Sequence, residues 1–182
     1  MPFNHFDLIA PAFRRVGYSS LKTMRQLAEL PVEGRLLDVG GGTGRVSSGL
    51  IQDADEIVIL DASFGMLKQT DHSALRPVRG DSEFLPFADD SFARLIVVDA
   101  LHHFMDQPQS AREMLRVLKP GGLIVIQEPD IRSFGVKLMA LAEKMLLLHS
   151  HFLSAMPITR LFLPAGTKIH FEESSVWVVV GK

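Results

Sequence analysis

The sequence predicts an α/β fold with a mostly parallel, seven-stranded sheet, helices on both faces and an antiparallel hairpin at the carboxy terminus. Largely apolar runs at 36–39, 57–60 and 94–98 are separated by segments with helical spacing, which indicates alternating strands and helices. A glycine cluster directly follows the first run, as expected where a strand turns into a helix beside a ligand. Two alternating or β-branched runs near the carboxy terminus are joined by a short link, which is typical of a hairpin.

The composition predicts one globular domain over 1–182. Of the 182 residues, 47% are hydrophobic and 22% are charged, and the net charge of −2 gives no reason to expect nucleic acid as a partner. The absence of cysteine excludes disulfides, thiolate catalysis and cysteine-ligated metals. No apolar run reaches the roughly 20 residues of a membrane span, and the amino terminus lacks the features of a secretory signal, so we expect a cytoplasmic location.

Residues 1–30 are predicted to form a helical cap in two pieces. Leu21, Met24 and Leu27 have helical spacing and follow a break at 17–20. The simplest interpretation of this region is an amphipathic helix packed on the sheet.

The glycine-rich turn is the predicted ligand site. The stretch from Leu36 to Arg45 has the sequence LLDVGGGTGR, which predicts a buried strand, a tight turn and the start of a helix. Glycines let a ligand approach the backbone closely, and amides at a helix start suit a nucleotide or a carboxylate. The dinucleotide pattern GxGxxG begins at Gly40 and Gly42 but has Arg45 at its third glycine position. The turn alone leaves a nicotinamide oxidoreductase open.

The same turn contains the pattern Asp-x-Gly-x-Gly-x-Gly, formed by Asp38, Gly40, Gly42 and Gly44. This pattern resembles motif I of the Rossmann-like class I methyltransferases that use S-adenosylmethionine (SAM). The resemblance implies that the glycines border the cofactor and that Asp38 reaches toward its amino group, directly or through water. Alternatively, Asp38 has only a structural role and stabilises the conformation of the glycine turn. The segment 6–11 resembles the start of ubiquinone/menaquinone-biosynthesis methyltransferases, where an amino-terminal helix covers the cofactor.

The predicted second strand, 56–61, ends in an acid. Asp61 can accept hydrogen bonds from both ribose hydroxyls of a nucleotide, and it lies about 20 residues after Gly40, the expected spacing. A dehydrogenase would use the same acid. The next residues resemble the methyltransferase run D-x-S-x-x-M-L, which implies that Ala62 lies beside the cofactor and that Met66 packs on the adenine. The alternative for Met66 is a core position in a helix.

A third strand is predicted at 78–81. The run after it distinguishes a SAM-binding protein from a nicotinamide-dependent oxidoreductase. Asp81 can accept a hydrogen bond from an adenine amino group, and Phe84 and Leu85 can face the ring. The run G-D-x-x-x-L-P-F-x-D-x-S-F resembles the ubiquinone/menaquinone-type methyltransferases, and the resemblance adds Ser82 to the cofactor-binding residues. A dehydrogenase has no particular need for this run.

The fourth strand, 94–99, is nearly continuous in apolar residues, as expected of a central parallel strand. The resemblance adds its last residue, Asp99, to the cofactor-binding set, and the segment after it resembles the family's A-L-H-H segment at the mouth of the active site. His102 and His103 are the candidate catalytic bases, because histidine titrates near neutrality and they follow a strand at the ligand-binding end of the sheet. The sequence does not choose between them.

The remaining elements complete the predicted sheet. A helix at 111–118 and an L-K-P-G-G turn, a further family feature, precede the fifth strand at 123–128. The hairpin strands are predicted at 168–172 and 176–180.

The segment 130–166 is shorter than is usual in the family, where it normally helps to build the acceptor pocket. A long helix is predicted at about 134–153, with an apolar face that includes Leu138 and Met139. Core packing explains most of this face. We nevertheless expect it to border a small, apolar or aromatic acceptor, for example a quinone-like ring, admitted between this helix and residues 3–18.

The expected function is methyl transfer from SAM to a small molecule, with S-adenosylhomocysteine as product. Two alternatives stay open: a SAM-binding protein without turnover, which the short 130–166 segment favours, and a nicotinamide-dependent oxidoreductase, which Arg45 disfavours. No metal is expected, because the acids and histidines lack convincing ligand spacing. The sequence predicts neither the methylated atom nor the oligomeric state.

Overall fold

The structure is a computed structural model that describes residues 18–133, 136–137, 151–172 and 174–182. The first piece of the predicted cap and most of the predicted helix at 134–153 lie outside these residues, and both stay predictions. Residues 136–137 are helical, but residues 151–153 are not, so the predicted end of this helix is wrong. Of the cap, the described part contains one helix at Leu21–Leu27, with Met24 buried as its spacing predicts.

A single seven-stranded sheet organises the described residues, in the order β3-β2-β1-β4-β5-β7-β6. Its strands are β1 (Arg35–Val39), β2 (Glu56–Asp61), β3 (Arg76–Arg79), β4 (Phe92–Val98), β5 (Leu118–Pro129), β6 (Gly166–Glu172) and β7 (Ser175–Gly181). The first five strands are parallel, and β7 is antiparallel to both β5 and β6. The predicted fold class, including the terminal hairpin, is confirmed.

The connecting elements are short. The helices are α1 (Leu21–Leu27), α2 (Phe64–Leu67), α3 (Gln107–Val117) and α4 (Ala155–Leu161), with 3-10 turns at Ser47–Leu50 and Leu101–His103. The start of α2 is fixed by Ser63, whose hydroxyl accepts a hydrogen bond from the Met66 amide at 3.1 Å. Asp106 caps α3 in the same way, through the Gln109 amide at 2.9 Å.

The core lies on both faces of the sheet. In β4, Leu95 and Val97 belong to one apolar cluster and Ile96 and Val98 to the other, because successive side chains of a strand point to opposite faces. This explains the nearly continuous apolar run of β4. The central strands are thereby held rigidly, and their carboxyl ends can position loops precisely.

Several predicted boundaries are wrong, among them the start of the helix predicted at 111–118, which begins at Gln107. The third strand is Arg76–Arg79, so Asp81 lies in the loop beyond it. The fifth strand begins at Leu118, because Leu118 already pairs with Phe92 before a register shift in the ladder. The helix expected after the glycine turn is only a 3-10 turn, where Gly49 lies so close to α1 that a Cβ there would meet Leu21 Cδ1 at 2.6 Å.

Within the described part of the chain, no helix has the length and apolar character needed to cross a membrane.

Candidate functional site

A cavity of about 600 Å³ lies at the carboxyl ends of the parallel strands, where the strand order reverses between β1 and β4. Open α/β sheets bind ligands at this point, and the volume suits a small-molecule site. Every predicted cofactor-binding residue except Gly44 lines the cavity, together with both candidate histidines. These residues are Asp38, Gly40, Gly42, Asp61, Ala62, Met66, Asp81, Ser82, Asp99, His102 and His103.

The glycine turn needs its glycines for two different reasons. Gly40 has φ +74°, and a Cβ there would lie 2.6 Å from the Cβ of Ala100, so a side chain is excluded by the loop after β4. Gly42 has φ +56°, and its Cβ would lie 3.8 Å from Met66 Sδ and 3.9 Å from Asp61 Oδ2, which line the cavity. A glycine at 42 therefore leaves the backbone open to a ligand.

Gly44 does not line the cavity and instead packs against the sheet. A Cβ on Gly44, which has φ +77°, would lie 2.8 Å from Ile59 Cδ1 and 3.1 Å from Leu75 Cδ1. These side chains belong to the buried core below the turn. Gly44 therefore allows the turn to pack closely on β2, and it is not assigned a contact with the ligand.

Asp61 is held in one orientation at the end of β2. Its Oδ2 accepts a hydrogen bond from the Gly42 amide at 2.9 Å, and its Oδ1 accepts one from the Ser63 amide at 2.7 Å. Each carboxylate oxygen has a second lone pair, so the group can still accept hydrogen bonds from a ligand. This orientation fits a pair of adjacent hydroxyls.

Asp38 is buried at the end of β1, with its Oδ2 accepting a hydrogen bond from the Ser47 hydroxyl at 2.6 Å. Burial raises the pKa of Asp38 to about 6, against the opposing effects of the Ser47 hydrogen bond and the positive charge of Arg45. A buried carboxylate that lines a cavity gains most from a cation placed beside it.

The loop after β3 differs in part from its prediction. Asp81 Oδ1 accepts a hydrogen bond from the Glu83 amide at 3.0 Å, and the Ser82 hydroxyl lies 2.9 Å from the Ser110 hydroxyl in α3. Phe84 is exposed and Leu85 is buried in the core, and neither lines the cavity.

The prediction that Phe84 and Leu85 face the cavity is therefore wrong. The side chain of Glu113 in α3 accepts a hydrogen bond from the Leu85 amide at 2.9 Å, and Arg116 donates to the Leu85 carbonyl at 3.0 Å. These two contacts hold Leu85 against α3, whereas Asp81 and Ser82 of the same loop line the cavity.

Asp99 adopts a left-handed backbone conformation, with φ +51°, directly after β4. Its Oδ2 lies 3.1 Å from Nη2 of Arg45, which also lines the cavity and lies over the ring of Tyr18. The Tyr18 hydroxyl donates a hydrogen bond to Gln127, and burial, aided by the charge of Asp99, raises the pKa of Tyr18. The sequence signalled Arg45 only as a break in the dinucleotide pattern.

His102 is buried, and its Nδ1 lies 2.5 Å from Oε2 of Glu128. The other oxygen of this carboxylate accepts hydrogen bonds from the amides of Ala100 at 3.0 Å and Leu101 at 2.8 Å. His103 lies beside it, with ring centroids 4.0 Å apart. Burial, aided by the neighbouring His102, lowers the pKa of His103 to about 3.

Glu128 is a site residue that the sequence did not predict. The available signal was topological, because the adjacent strands β4 and β5 are parallel and their carboxyl ends meet. The register places Val98 opposite Gln127, so the next residue of β5 lies beside the turn that carries the histidines.

The residues that follow the undescribed segment contact this turn. The His151 amide donates to the His102 carbonyl at 2.6 Å, and the ring of Phe152 stacks on the ring of His102 at 4.2 Å. The Gln107 side chain donates to the carbonyls of Leu101 and His151 at 3.0 and 3.1 Å. The segment 130–166 is thus joined to the turn that carries the histidines through its residues His151 and Phe152.

In the part of the chain that the structure describes, no three histidine or acidic side chains lie close enough together to hold a metal ion.

Comparison with known proteins decides the family. Residues 37–126 match the family model described as a methyltransferase domain. A demethylmenaquinone methyltransferase of Clavibacter sepedonicus is 35% identical over 136 residues, which are 68% of this chain and 56% of that protein. The chain belongs to the class I SAM-dependent methyltransferases of the ubiquinone/menaquinone type. A demethylmenaquinone methyltransferase of Renibacterium salmoninarum is 39% identical over 105 residues, 56% of this chain and 44% of that protein.

The chain therefore spans about half the length of these curated methyltransferases. A crystal structure of a SAM-dependent methyltransferase from Thermotoga maritima has the same fold. It superposes with a TM-score of 0.78 at 21% identity, over 96% of this chain and 97% of that one.

Proposed function

We propose that this methyltransferase-family chain transfers the methyl group of SAM to a small, apolar or aromatic acceptor, with S-adenosylhomocysteine as product. The observation that carries the proposal is the fixed Asp61 carboxylate, which lies in one cavity with the buried Asp38 and with His102. We also propose that residues 1–182 form one domain.

The cavity-lining residues fit the parts of SAM. In the proposed arrangement, Asp61 accepts hydrogen bonds from the two ribose hydroxyls, and Asp81 accepts one from the adenine amino group. Met66 packs on the adenine ring, and the carboxylate of Asp38 faces the charged amino group, directly or through water. Gly40, Gly42, Ala62, Ser82 and Asp99 form the walls of this site.

Bound SAM supplies an activated methyl group, which passes in line from a sulfonium to a nucleophile. Much of the rate enhancement in such a reaction comes from holding the two reactants in contact and in line. The chain itself needs to contribute a base where the nucleophile is a phenol, a hydroxyl or an acidic carbon. His102 and His103 are the candidate bases in the cavity.

The proposed acceptor is apolar because apolar side chains surround the histidines. Phe104, Met105 and Pro129 line this side of the cavity, and Phe152 stacks on His102. The relatives named demethylmenaquinone methyltransferase support a quinone-like ring as the acceptor. The short 130–166 segment supports a second candidate function, a SAM-binding protein without turnover, because few residues are available there to build an acceptor pocket.

Labelled SAM tests the proposed activity. The purified chain is incubated with methyl-labelled SAM and either a lipid extract or a polar metabolite extract, and products are followed by mass spectrometry. The label is expected in an apolar product that is absent without the protein. Label transfer only to polar acceptors would contradict the apolar acceptor. Binding of SAM without any transfer would favour the protein without turnover.

Placing aspartate at Leu138 or Met139 is expected to lower turnover of apolar acceptors at least about tenfold, because a carboxylate beside an apolar ring costs more than about 1.4 kcal/mol. Both positions lie outside the described residues, on the predicted apolar helix face. The measurement is turnover in variants that still fold and bind SAM. The matched control is Lys137→Asp at an exposed neighbouring position. Unchanged turnover in Leu138→Asp and Met139→Asp would contradict this acceptor site.

Activity is expected to be independent of added metal ions, because the proposed reaction uses a sulfonium leaving group and a side-chain base. Turnover should be the same, within a factor of about two, before and after treatment with a strong chelator. Loss of turnover in chelator, followed by recovery on addition of a divalent ion, would show that the expectation is wrong.

A further inference from the structure

We propose that Glu128 is a positioning residue that holds His102 in the tautomer protonated on Nδ1, so that Nε2 is the base that accepts the proton of the acceptor. This inference rests on the proposed methyl transfer. It also selects His102 over His103.

The carboxylate of Glu128 is bound at both oxygens. Oε1 accepts hydrogen bonds from the backbone amides of Ala100 and Leu101 at 3.0 and 2.8 Å, which directs Oε2 toward the imidazole of His102. Oε2 lies 2.5 Å from Nδ1. Glu128 is 2% exposed and His102 is 4% exposed, so water does not compete effectively for this contact.

Charge and geometry decide which nitrogen carries the proton. Because an ionised carboxylate only accepts hydrogen bonds, Nδ1 of His102 is the donor. The lone pair of the neutral ring is then on Nε2. The ring of His102 lines the cavity, and in the proposed step the bound acceptor gives its proton to Nε2. The main chain fixes the ring further, since the His102 carbonyl accepts a hydrogen bond from the His151 amide at 2.6 Å.

His103 differs from His102 in its affinity for a proton. Burial, aided by the neighbouring His102, lowers the pKa of His103 to about 3, so its ring holds a proton poorly at neutral pH. For His102, by contrast, a proton gained on Nε2 produces an imidazolium ion that faces the Glu128 carboxylate, which stabilises the charge.

The proposed step conserves atoms and electrons. The acceptor gives its O–H or acidic C–H proton to Nε2 of His102, and the bonding electrons left on the acceptor form the new bond to the methyl carbon. The carbon–sulfur bond breaks, and its electron pair stays on sulfur, which leaves as a neutral thioether. The imidazolium later gives its proton to water.

The decisive variant is Glu128→Gln, which has nearly the same shape. The glutamine oxygen can still accept the amides of Ala100 and Leu101, but its NH₂ group then faces Nδ1. Nδ1 must become an acceptor, and the ring proton moves to Nε2, where it blocks the base. An Asp→Asn change beside the histidine of a serine-protease triad acts through the same shift of tautomer. We expect kcat to fall by about 10²–10⁴ with an unchanged Kd for SAM.

The tautomer is measured directly by NMR of protein with ¹⁵N-labelled histidine, with no SAM or acceptor present, and His102→Gln assigns the signal. The wild type is expected to carry the ring proton on Nδ1 and Glu128→Gln on Nε2. Glu128→Asp, which keeps the carboxylate, is expected to retain the wild-type tautomer and to recover part of kcat.

The matched control is Glu113→Gln. Glu113 also accepts a backbone amide, that of Leu85 at 2.9 Å, but it does not line the cavity. This control should leave the tautomer of His102 unchanged. A wild-type ring protonated on Nε2, the same tautomer in wild type and Glu128→Gln, or an unchanged kcat despite a changed tautomer would each overturn the inference. Failure of the proposed function is separate: the wild type would then transfer no methyl group, and the tautomer alone would decide the role of Glu128.

Discussion

Replacing Asp61 with alanine is expected to weaken SAM binding at least about a hundredfold, because two hydrogen bonds to a charged group are lost at about 1.5–3 kcal/mol each. In the proposed complex these bonds join the carboxylate to the two ribose hydroxyls. The amides of Gly42 and Ser63, which hold this carboxylate at 2.9 and 2.7 Å, also lose their partner. Calorimetric titration of the variant with SAM measures the effect.

The matched control is Asp55→Ala. Asp55 lies just before the opposite end of the same strand, where its Oδ2 accepts a hydrogen bond from the Gly34 amide at 2.7 Å, and it does not line the cavity. Its replacement should leave SAM affinity unchanged. Wild-type affinity in a folded Asp61→Ala variant would remove Asp61 from the proposed site.

Replacing Asp38 with asparagine is expected to abolish tight SAM binding and, at the same time, to stabilise the ligand-free protein at pH 8. The pKa of Asp38 is raised from 3.8 to about 6 in the folded chain, chiefly by burial. A carboxyl with a raised folded pKa stabilises the fold when it is protonated, below pH about 4, and this contribution is lost as the pH rises through about 6. Above that pH the charged carboxylate of Asp38 lowers the free energy of unfolding by up to about 3 kcal/mol.

Urea unfolding of both proteins at pH 4.5 and pH 8 tests this prediction. The gain in the free energy of unfolding of Asp38→Asn should be large at pH 8 and small at pH 4.5. Saturating SAM should stabilise the wild type and not the variant, because asparagine has no charge to place beside the amino group. A variant that is no more stable than the wild type at pH 8, or that binds SAM normally, would contradict the proposed role.

Much of the fold was predictable because its signals are local. Buried parallel strands such as Ile57–Leu60 are continuous in apolar residues, and β7 is rich in β-branched residues. Burial and strand pairing therefore produce patterns that can be recognised in the sequence. Boundaries were less predictable. The 3-10 turn at Ser47–Leu50 depends on the close approach of Leu21 from another element, which no local pattern contains.

In the site, too, the residues with a local sequence signal were predictable, and those that depend on contacts with distant elements were not. Asp61 is the last residue of β2 and Asp38 is the next to last of β1, and parallel strands that end together bring their carboxyl-terminal residues to one cavity. Gly44 belongs to the same motif but packs on Ile59, because a sequence pattern does not tell a glycine that a ligand requires from one that the core requires. The exposed position of Phe84 results from contacts between its loop and α3, which lies further along the chain.

Glu128 shows why a contact between two side chains is harder to predict than the position of a single residue in a strand or loop. Its contact with His102 depends on the register of β4 against β5 and on the geometry of a 3-10 turn. Neither is set by spacing along the sequence. The signal available was only that Glu128 lies at the carboxyl end of β5 and that His102 follows the adjacent strand β4.

Calorimetric titration of the purified chain with SAM, S-adenosylhomocysteine and NAD, under identical conditions, tests the central claim most directly. The cavity at the ends of β1, β2 and β4 is proposed to bind SAM through Asp38 and Asp61. SAM and S-adenosylhomocysteine are expected to bind with one-to-one stoichiometry, and NAD is expected to give no heat of binding. Binding of NAD in the absence of any SAM binding would contradict the account and restore the nicotinamide oxidoreductase.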